Sequence, residues 1–511
     1  MSGARAAFGA LALVTFALVH GPGAKAAPAA EKPPSLAIVV RDQTALRNAP
    51  RDSALQQATL WQGEVVEVRG EKSDYLQVWD YRRERGGFVE ASRVRPTALG
   101  AGDAPELMAV LRFVRDTPGA EALGIGLGAA WLKAAPVESL RGSAAAEAFD
   151  AIGSMADRLA YRASSGAASG TPSGAAPSRS ETALSAHLEV ASRYGVVFRS
   201  LERDGAVRLC YDGEGFRRVL ALPASAAQRA RAALGLTRPE CRDPQATVVE
   251  REQVDAWRAE VLDRVELAEL PATLRNRVAI RRAGVWSARA FRFVRKGEAG
   301  LAEAAGQRAI AELAAVDRRD LADDDQAGYA EAAVRVGASR WAAAPPVAQA
   351  ARNVAIVTVA GQPGETCVLL VDAQRGAAAP LARRCTYGLV WARSATLNRE
   401  GNALALAVQP LEAWRELWLF SRRPEGWVVQ VLPPSTTAPG LGYAEFAGWV
   451  PGGRQVLVVR EARGEGRPKR SFEVITLAAL ATERQASDPS LLAAFRRWQD
   501  PAWKRETISL R

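Results

Sequence analysis

The chain is nearly without histidine. Of 2 in 511 residues, His20 falls within the first 26, which leaves His187 alone in the remainder. Catalytic zinc centres of the histidine-rich type are therefore excluded, and a serine or cysteine hydrolase would have to use His187 as its base. His187 stands on a helical face in "LSAHLEVA", where a packing or surface histidine is the simpler assignment. Cysteine is scarce, at 4, and no Cys-x-x-Cys spacing occurs, so no thiolate metal knuckle is expected. Ser-x-x-Lys, Gly-x-Ser-x-Gly and Walker sequences are absent as well. Lysine is rare, and the net charge of +11 comes from arginines interleaved with acids, as in "RDQTALRNAPRD". A clustered basic footprint is missing, and with it the expectation of a nucleic-acid partner.

What is present begins with an address. "MSGAR" is a short positive segment, Ala6 to Val19 an apolar run, and Ala24 to Ala26 ("AKA") a small-residue cleavage site. These are the three parts of a secretory signal peptide, residues 1–26. The apolar run is too short to span a bilayer comfortably, and no cysteine follows it to carry a lipid. Cleavage would remove Arg5 and Lys25, taking the net charge from +11 to +9. The expectation is a periplasmic or secreted protein with no membrane span. Oxidising surroundings let the cysteines close, and proximity pairs Cys210 with Cys241 and Cys367 with Cys385. Two other connectivities remain open on sequence grounds.

After a proline- and alanine-rich linker (27–35), residues 36–96 divide into short alternating runs separated by turns. "LWQGEVVEVRGEKSDYLQVWD" reads as a β-hairpin: Val66, Val68, Leu76 and Val78 share one face, and Gln77 and Trp79 take the other. "ALRNAP", "LWQGEVVEVRGE", "DYLQVWD" and "GGFVEASRV" occur in the order of the bacterial Src-homology-3-like family, which this segment resembles. That resemblance implies a small β-barrel and cell-wall peptide or protein ligands. Tyr75, Trp79 and Tyr81 are the candidate ligand-binding residues. The outward Trp79 needs cover, either from the protein's own helices after Pro105 or from a bound segment.

Residues 104–162 turn to helical periodicity, with the glycine-rich stretch Ala122 to Leu132 read as close helix packing. The low-complexity run 163–180 is expected to be a flexible linker. Residues 181–345 read as a helical domain containing a hairpin turning at Asp204-Gly205, with breaks near Pro271, Gly297 and "LADDDQAGY". The run Asp323-Asp324-Asp325 lacks the glycine and distal glutamate of a calcium loop, and compensates a helix dipole instead.

Residues 351–483 carry a repeat of strand, polar turn and strand, anchored at Asn353, Asn402 and Arg454, 49 and 52 residues apart. "LVWARSATLNREG" and "FAGWVPGG" precede the second and third copies and resemble the Trp-Ser-Pro-Asp-Gly segment of TolB-like and WD-type propeller blades. Three copies fall short of the four blades a propeller needs, so an incomplete set is expected. Trp391, Trp418 and Trp449 belong to its core, and 484–511 is a C-terminal tail.

The fold class is thus multidomain α+β: a small N-terminal barrel, a helical centre and antiparallel β repeats. With 56 acidic residues, any carboxylate pair is unconstrained, and neither a catalytic residue, a metal nor a cofactor is implied. The expected function is an exported envelope binding or scaffold protein for cell-wall peptides or envelope proteins. The alternative is a carboxylate-dependent envelope enzyme acting on a wall glycan or peptide.

Overall fold

A computed structural model describes residues 35–167, 178–203, 206–344, 354–436, 440–464 and 467–506. The expected signal peptide, the expected turn at Asp204-Gly205 and the repeat anchor Asn353 lie outside them. The described residues form a mixed α/β protein of twelve α-helices and several antiparallel sheets.

Seven strands open the chain: β1 (Ser35–Val39), β2 (Thr44–Arg47), β3 (Gln56–Leu60), β4 (Val65–Lys72), β5 (Tyr75–Asp80), β6 (Arg85–Glu90) and β7 (Val94–Thr97). They pair in the order β3-β2-β6-β5-β4-β1-β7. Val66, Leu76, Val78 and Val89 join Ala37, Leu46, Leu60 and Val94 in one core that draws on all seven strands. The expected barrel is corrected in one respect: β3 and β7 do not pair, so the sheet stays open. Arginines occupy the β3 edge instead, Arg83 donating to the carbonyl of Thr59 (3.1 Å) and Arg85 to that of Gln57 (2.9 Å). An edge capped by side chains needs no closing strand.

Helices α1 (Ala104–Arg115), α2 (Glu121–Ala134) and α3 (Ser143–Ala167) follow. The glycines of α2 are packing positions: a Cβ on Gly124 or Gly128 would strike Met155 or Ile152 of α3. Next come α4 (Arg179–Arg193), the hairpin β8 (Phe198–Arg203) and β9 (Ala206–Tyr211), α5 (Glu214–Ala221) and α6 (Ala226–Leu236). The expected linker 163–180 differs from the structure at both ends. Ala163 to Ala167 complete α3, where buried Ser164 donates to the Ala160 carbonyl and accepts from the Leu209 N–H, both at 2.9 Å. At the other end Ser178 caps α4 through a capping box with Glu181. Ala191 of α4 and Val196 share the core of α1–α3, so the two sides of that segment form one packed body.

Helix α7 (Val248–Asp263) starts at a Thr247–Glu250 capping box, and α8 (Ala272–Arg295), α9 (Ala299–Ala314) and α10 (Asp323–Ser339) begin at the breaks near Pro271, Gly297 and the aspartate run. The three aspartates occupy the first turn of α10, and Asp325 pairs with Arg277 at 2.8 Å.

The C-terminal strands fall into three antiparallel units. The first is β10 (Val354–Ala360), β11 (Thr366–Asp372) and β12 (Ala382–Thr386). The second is β13 (Leu389–Leu397), β14 (Ala403–Leu411), β15 (Trp414–Arg423) and β16 (Gly426–Leu432). The third is β17 (Gly442–Val450), β18 (Gln455–Gly464), β19 (Arg467–Thr476) and β20 (Thr482–Ala486). The second and third sequence echoes are the central hairpins of their units, β14–β15 and β18–β19, and the first echo is the hairpin β10–β11. A short parallel pairing, Trp414 with Gly442 and Arg415 with Tyr443, joins the second unit to the third. The chain end is not a loose tail: α11 (Ala493–Trp498) and α12 (Pro501–Glu506) place Phe495 and Trp503 in one core with Leu457, Val459 and Phe472.

Candidate functional site

The outer face of β4–β5 carries the first candidate. Register sets Trp79 between Glu67 of β4 and Gly86 of β6. The Arg69 guanidinium lies 4.5 Å from the Trp79 ring centroid, and the ring packs close on Gly86, where an added Cβ would stand 3.2 Å from it. Arg69 donates twice to one oxygen of Glu67, at 3.1 and 3.0 Å, and the Tyr81 hydroxyl donates to the same oxygen at 2.8 Å. The Tyr81 bond, then Arg69, hold the Glu67 carboxyl below its ordinary value. Tyr81 is 66% exposed. Trp79 and Tyr81 therefore share a face with a fixed ion pair between them. Arg69 covers one face of the Trp79 ring.

Tyr75 is not open on this face. It is 8% exposed and donates its hydroxyl to Asp52 at 2.5 Å, because the loop between β2 and β3 folds over the start of β5. Tyr75 is a packing residue.

The helices meet the sheet at the turn Trp61-Gln62-Gly63-Glu64. Gly63 has φ +87°, and an added Cβ would come within 2.4 Å of the Ala122 carbonyl oxygen. Gly126 of α2 faces the same backbone, its own Cβ position lying 2.9 Å from the Gly63 carbonyl oxygen. Tyr194 donates to that carbonyl at 2.6 Å, and burial pushes its phenol up to about 12. Buried Glu64 accepts from Arg82 and Arg193, each at 3.0 Å, and from Arg83 at 3.2 Å. His187 is buried here, Nε2 lying 2.8 Å from Asp42 and 3.1 Å from the Gln62 amide. Its neighbours are an acid, an amide and the edge of Trp61, with no nucleophile among them. The histidine joins two parts of the fold.

Both disulfides are closed, Cys210–Cys241 and Cys367–Cys385, and no described cysteine is free. The first ties β9 to the turn after α6. The second bridges directly opposed residues of β11 and β12. Glu365 lies beside this second pair, but its two sulfurs are spent on each other. No described helix is long and apolar enough to cross a membrane.

The second candidate was not legible in the sequence. A cavity of about 70 Å³ opens where β13–β15, β17, Arg340-Trp341 and the chain before α12 meet. Its wall holds Arg415, fully buried, with Glu445 and Arg340. Arg340 donates to Glu445 Oε1 at 2.5 Å, and Arg415 Nη1 to the Gly337 carbonyl at 2.7 Å. Arg415 Nη2 lies 3.4 Å from Glu445 Oε2. Burial pulls the Arg415 guanidinium down to about 10, with Glu445 opposing, so it stays protonated at neutral pH. A carboxylate set between two guanidiniums is not placed to act as a general acid.

No known family model, curated protein or solved structure matches this chain.

Proposed function

We propose that this is an exported envelope scaffold whose N-terminal sheet binds an extended cell-wall peptide across Trp79 and Tyr81. The Src-homology-3-like and propeller-like resemblances belong to this proposal, with the three C-terminal units as an incomplete blade set. The single observation that carries it is Tyr81, exposed beside Trp79 while its hydroxyl is tethered to the Glu67–Arg69 pair. A pre-ordered aromatic rim binds extended chains at low entropic cost. The closed disulfides fit an oxidising compartment. Partly buried ion pairs hold the parts together: Glu64 with Arg193 at the sheet, and Glu412 with Arg292 (3.1 Å) between α8 and the C-terminal strands.

The test is co-sedimentation of the oxidised protein with purified cell-wall sacculi, beside titration with soluble wall peptides. Saturable binding to both supports the proposal. Retention of the protein in the supernatant, with no response to peptide, overturns it.

A further inference from the structure

We propose that the Cys367–Cys385 disulfide is a thiol-exchange site, opened by an external thiol at Cys385. The site does not depend on the Trp79 face. Register makes this bond unlike the other disulfide. Cys367 and Cys385 are directly opposed on β11 and β12. The Gly361 N–H donates to the Glu365 carbonyl at 3.0 Å, so every second β11 residue from Glu365, Cys367 included, turns its backbone groups to β10. Leu370, of the other parity, accepts from the Leu381 N–H at 2.8 Å on the β12 side. The cysteines are therefore a non-hydrogen-bonded pair, whose Cα atoms the ladder holds about 4.5 Å apart. A relaxed disulfide spans about 4.4–6.8 Å. Cys367 and Cys385 stand 3.9 Å apart, whereas Cys210 and Cys241, which no ladder constrains, stand 5.7 Å apart. The pair pressed together by its strands is the more readily reduced.

The surroundings choose the sulfur. Val368 and Leu370 face the core shared with β14, so Cys367, Cys385 and Arg383 lie on the sheet's other face, beside Val357, which is 37% exposed. Cys367, on the central strand, is fully buried, and Cys385, on the outer strand β12, is half-buried. The exposed Arg383 donates from Nη2 to Cys367 Sγ at 3.3 Å. The Glu365 carboxylate lies within 4.8 Å of both sulfurs and disfavours a thiolate on either, so Arg383, bonded to Cys367 alone, distinguishes them. Cys385 is the sulfur attacked, and Cys367 the one that leaves with the electron pair.

An incoming thiolate, its proton given to water, bonds to Cys385 Sγ as the original sulfur–sulfur bond breaks. A mixed disulfide and a Cys367 thiolate held by Arg383 result. A second thiolate, attacking the partner's sulfur, releases Cys385. Two electrons have then passed from two thiols to the pair, and the thiols leave as a disulfide. Five residue pairs still align β11 with β12, so opening requires no unfolding.

Graded reduction of the whole oxidised protein without denaturant tests the proposal. Dithiothreitol or glutathione is the reductant, followed by acid quench, alkylation and mass analysis of the four cysteine peptides. Expected is opening of Cys367–Cys385 at least about tenfold faster than Cys210–Cys241, with a cooperative melting transition retained. The glutathione adduct trapped by acid should sit on Cys385. Arg383→Gln, an exposed change, should slow the opening at least about threefold. Simultaneous opening of both disulfides, earlier opening of Cys210–Cys241, or an adduct on Cys367 overturns the proposal. An unchanged rate in Arg383→Gln overturns the choice of leaving sulfur.

Discussion

His187 and Asp42, 145 positions apart in the chain, meet at 2.8 Å and join helix α4 to the N-terminal sheet. The only histidine beyond the first 26 residues is thus consumed in a structural contact. Around it the Trp61–Glu64 turn is fitted backbone to backbone against α2, Gly63 facing Ala122 and Gly126.

Gly63→Ala tests that junction. The added methyl meets both a positive φ and a backbone carbonyl at 2.4 Å, so neither the residue nor its neighbour yields easily. We expect a loss of about 3 kcal/mol in urea unfolding, against no loss or a gain of up to about 1 kcal/mol for Gly300→Ala on α9, where the added methyl meets open space. Equal effects would contradict the docking geometry.

Glu121 sets an acid limit. It is fully buried at the start of α2 and accepts from Arg158 at 2.7 Å and from Arg162. Burial alone would raise its carboxyl, but the hydrogen bond from Arg158, with Arg162 and backbone donors, holds it below the ordinary value. A depressed folded value contributes stability above the unfolded value of about 4.3, and that contribution disappears as pH falls through the folded one. Glu121→Gln should cost about 3 kcal/mol at pH 7 and flatten the loss of melting temperature below pH 4. An unchanged acid profile would contradict this.

The disulfides give a chemical check. Under denaturing conditions without reductant, the protein should show no reactive thiol, and after reduction four. Reduction or Cys210→Ser/Cys241→Ser should cost about 3 kcal/mol. Four labelled thiols before reduction would contradict both the pairing and the oxidising compartment.

The strands were legible wherever burial alternates with sequence. The β4–β5 hairpin declares itself because Val66, Leu76 and Val78 must share one face, and its Trp79 then falls on the other. Tyr75 breaks the rule because its burial comes from Asp52, in a loop that alternation does not describe. The run after Arg162 looked like a linker by composition, yet Ser164 turns inward and uses its hydroxyl on α3 and β9. The Arg415 cavity was hidden for a related reason. Glu445 and Arg340 are 105 residues apart, and only the packing of α10 on β15 and β17 brings their charges together. The one local sign was a charged residue at an inward position of "WRELWLF".

The most direct measurement of the central claim compares sacculus and wall-peptide binding by the wild-type protein, Trp79→Ala and Tyr81→Ala. Neither side chain belongs to the sheet core, so each variant should keep its melting transition within about 1 kcal/mol of wild type. We predict that wild type binds saturably and that both variants bind at least about tenfold more weakly. Wild-type affinity retained by both folded variants would contradict the claim, as would loss of the fold in Trp79→Ala.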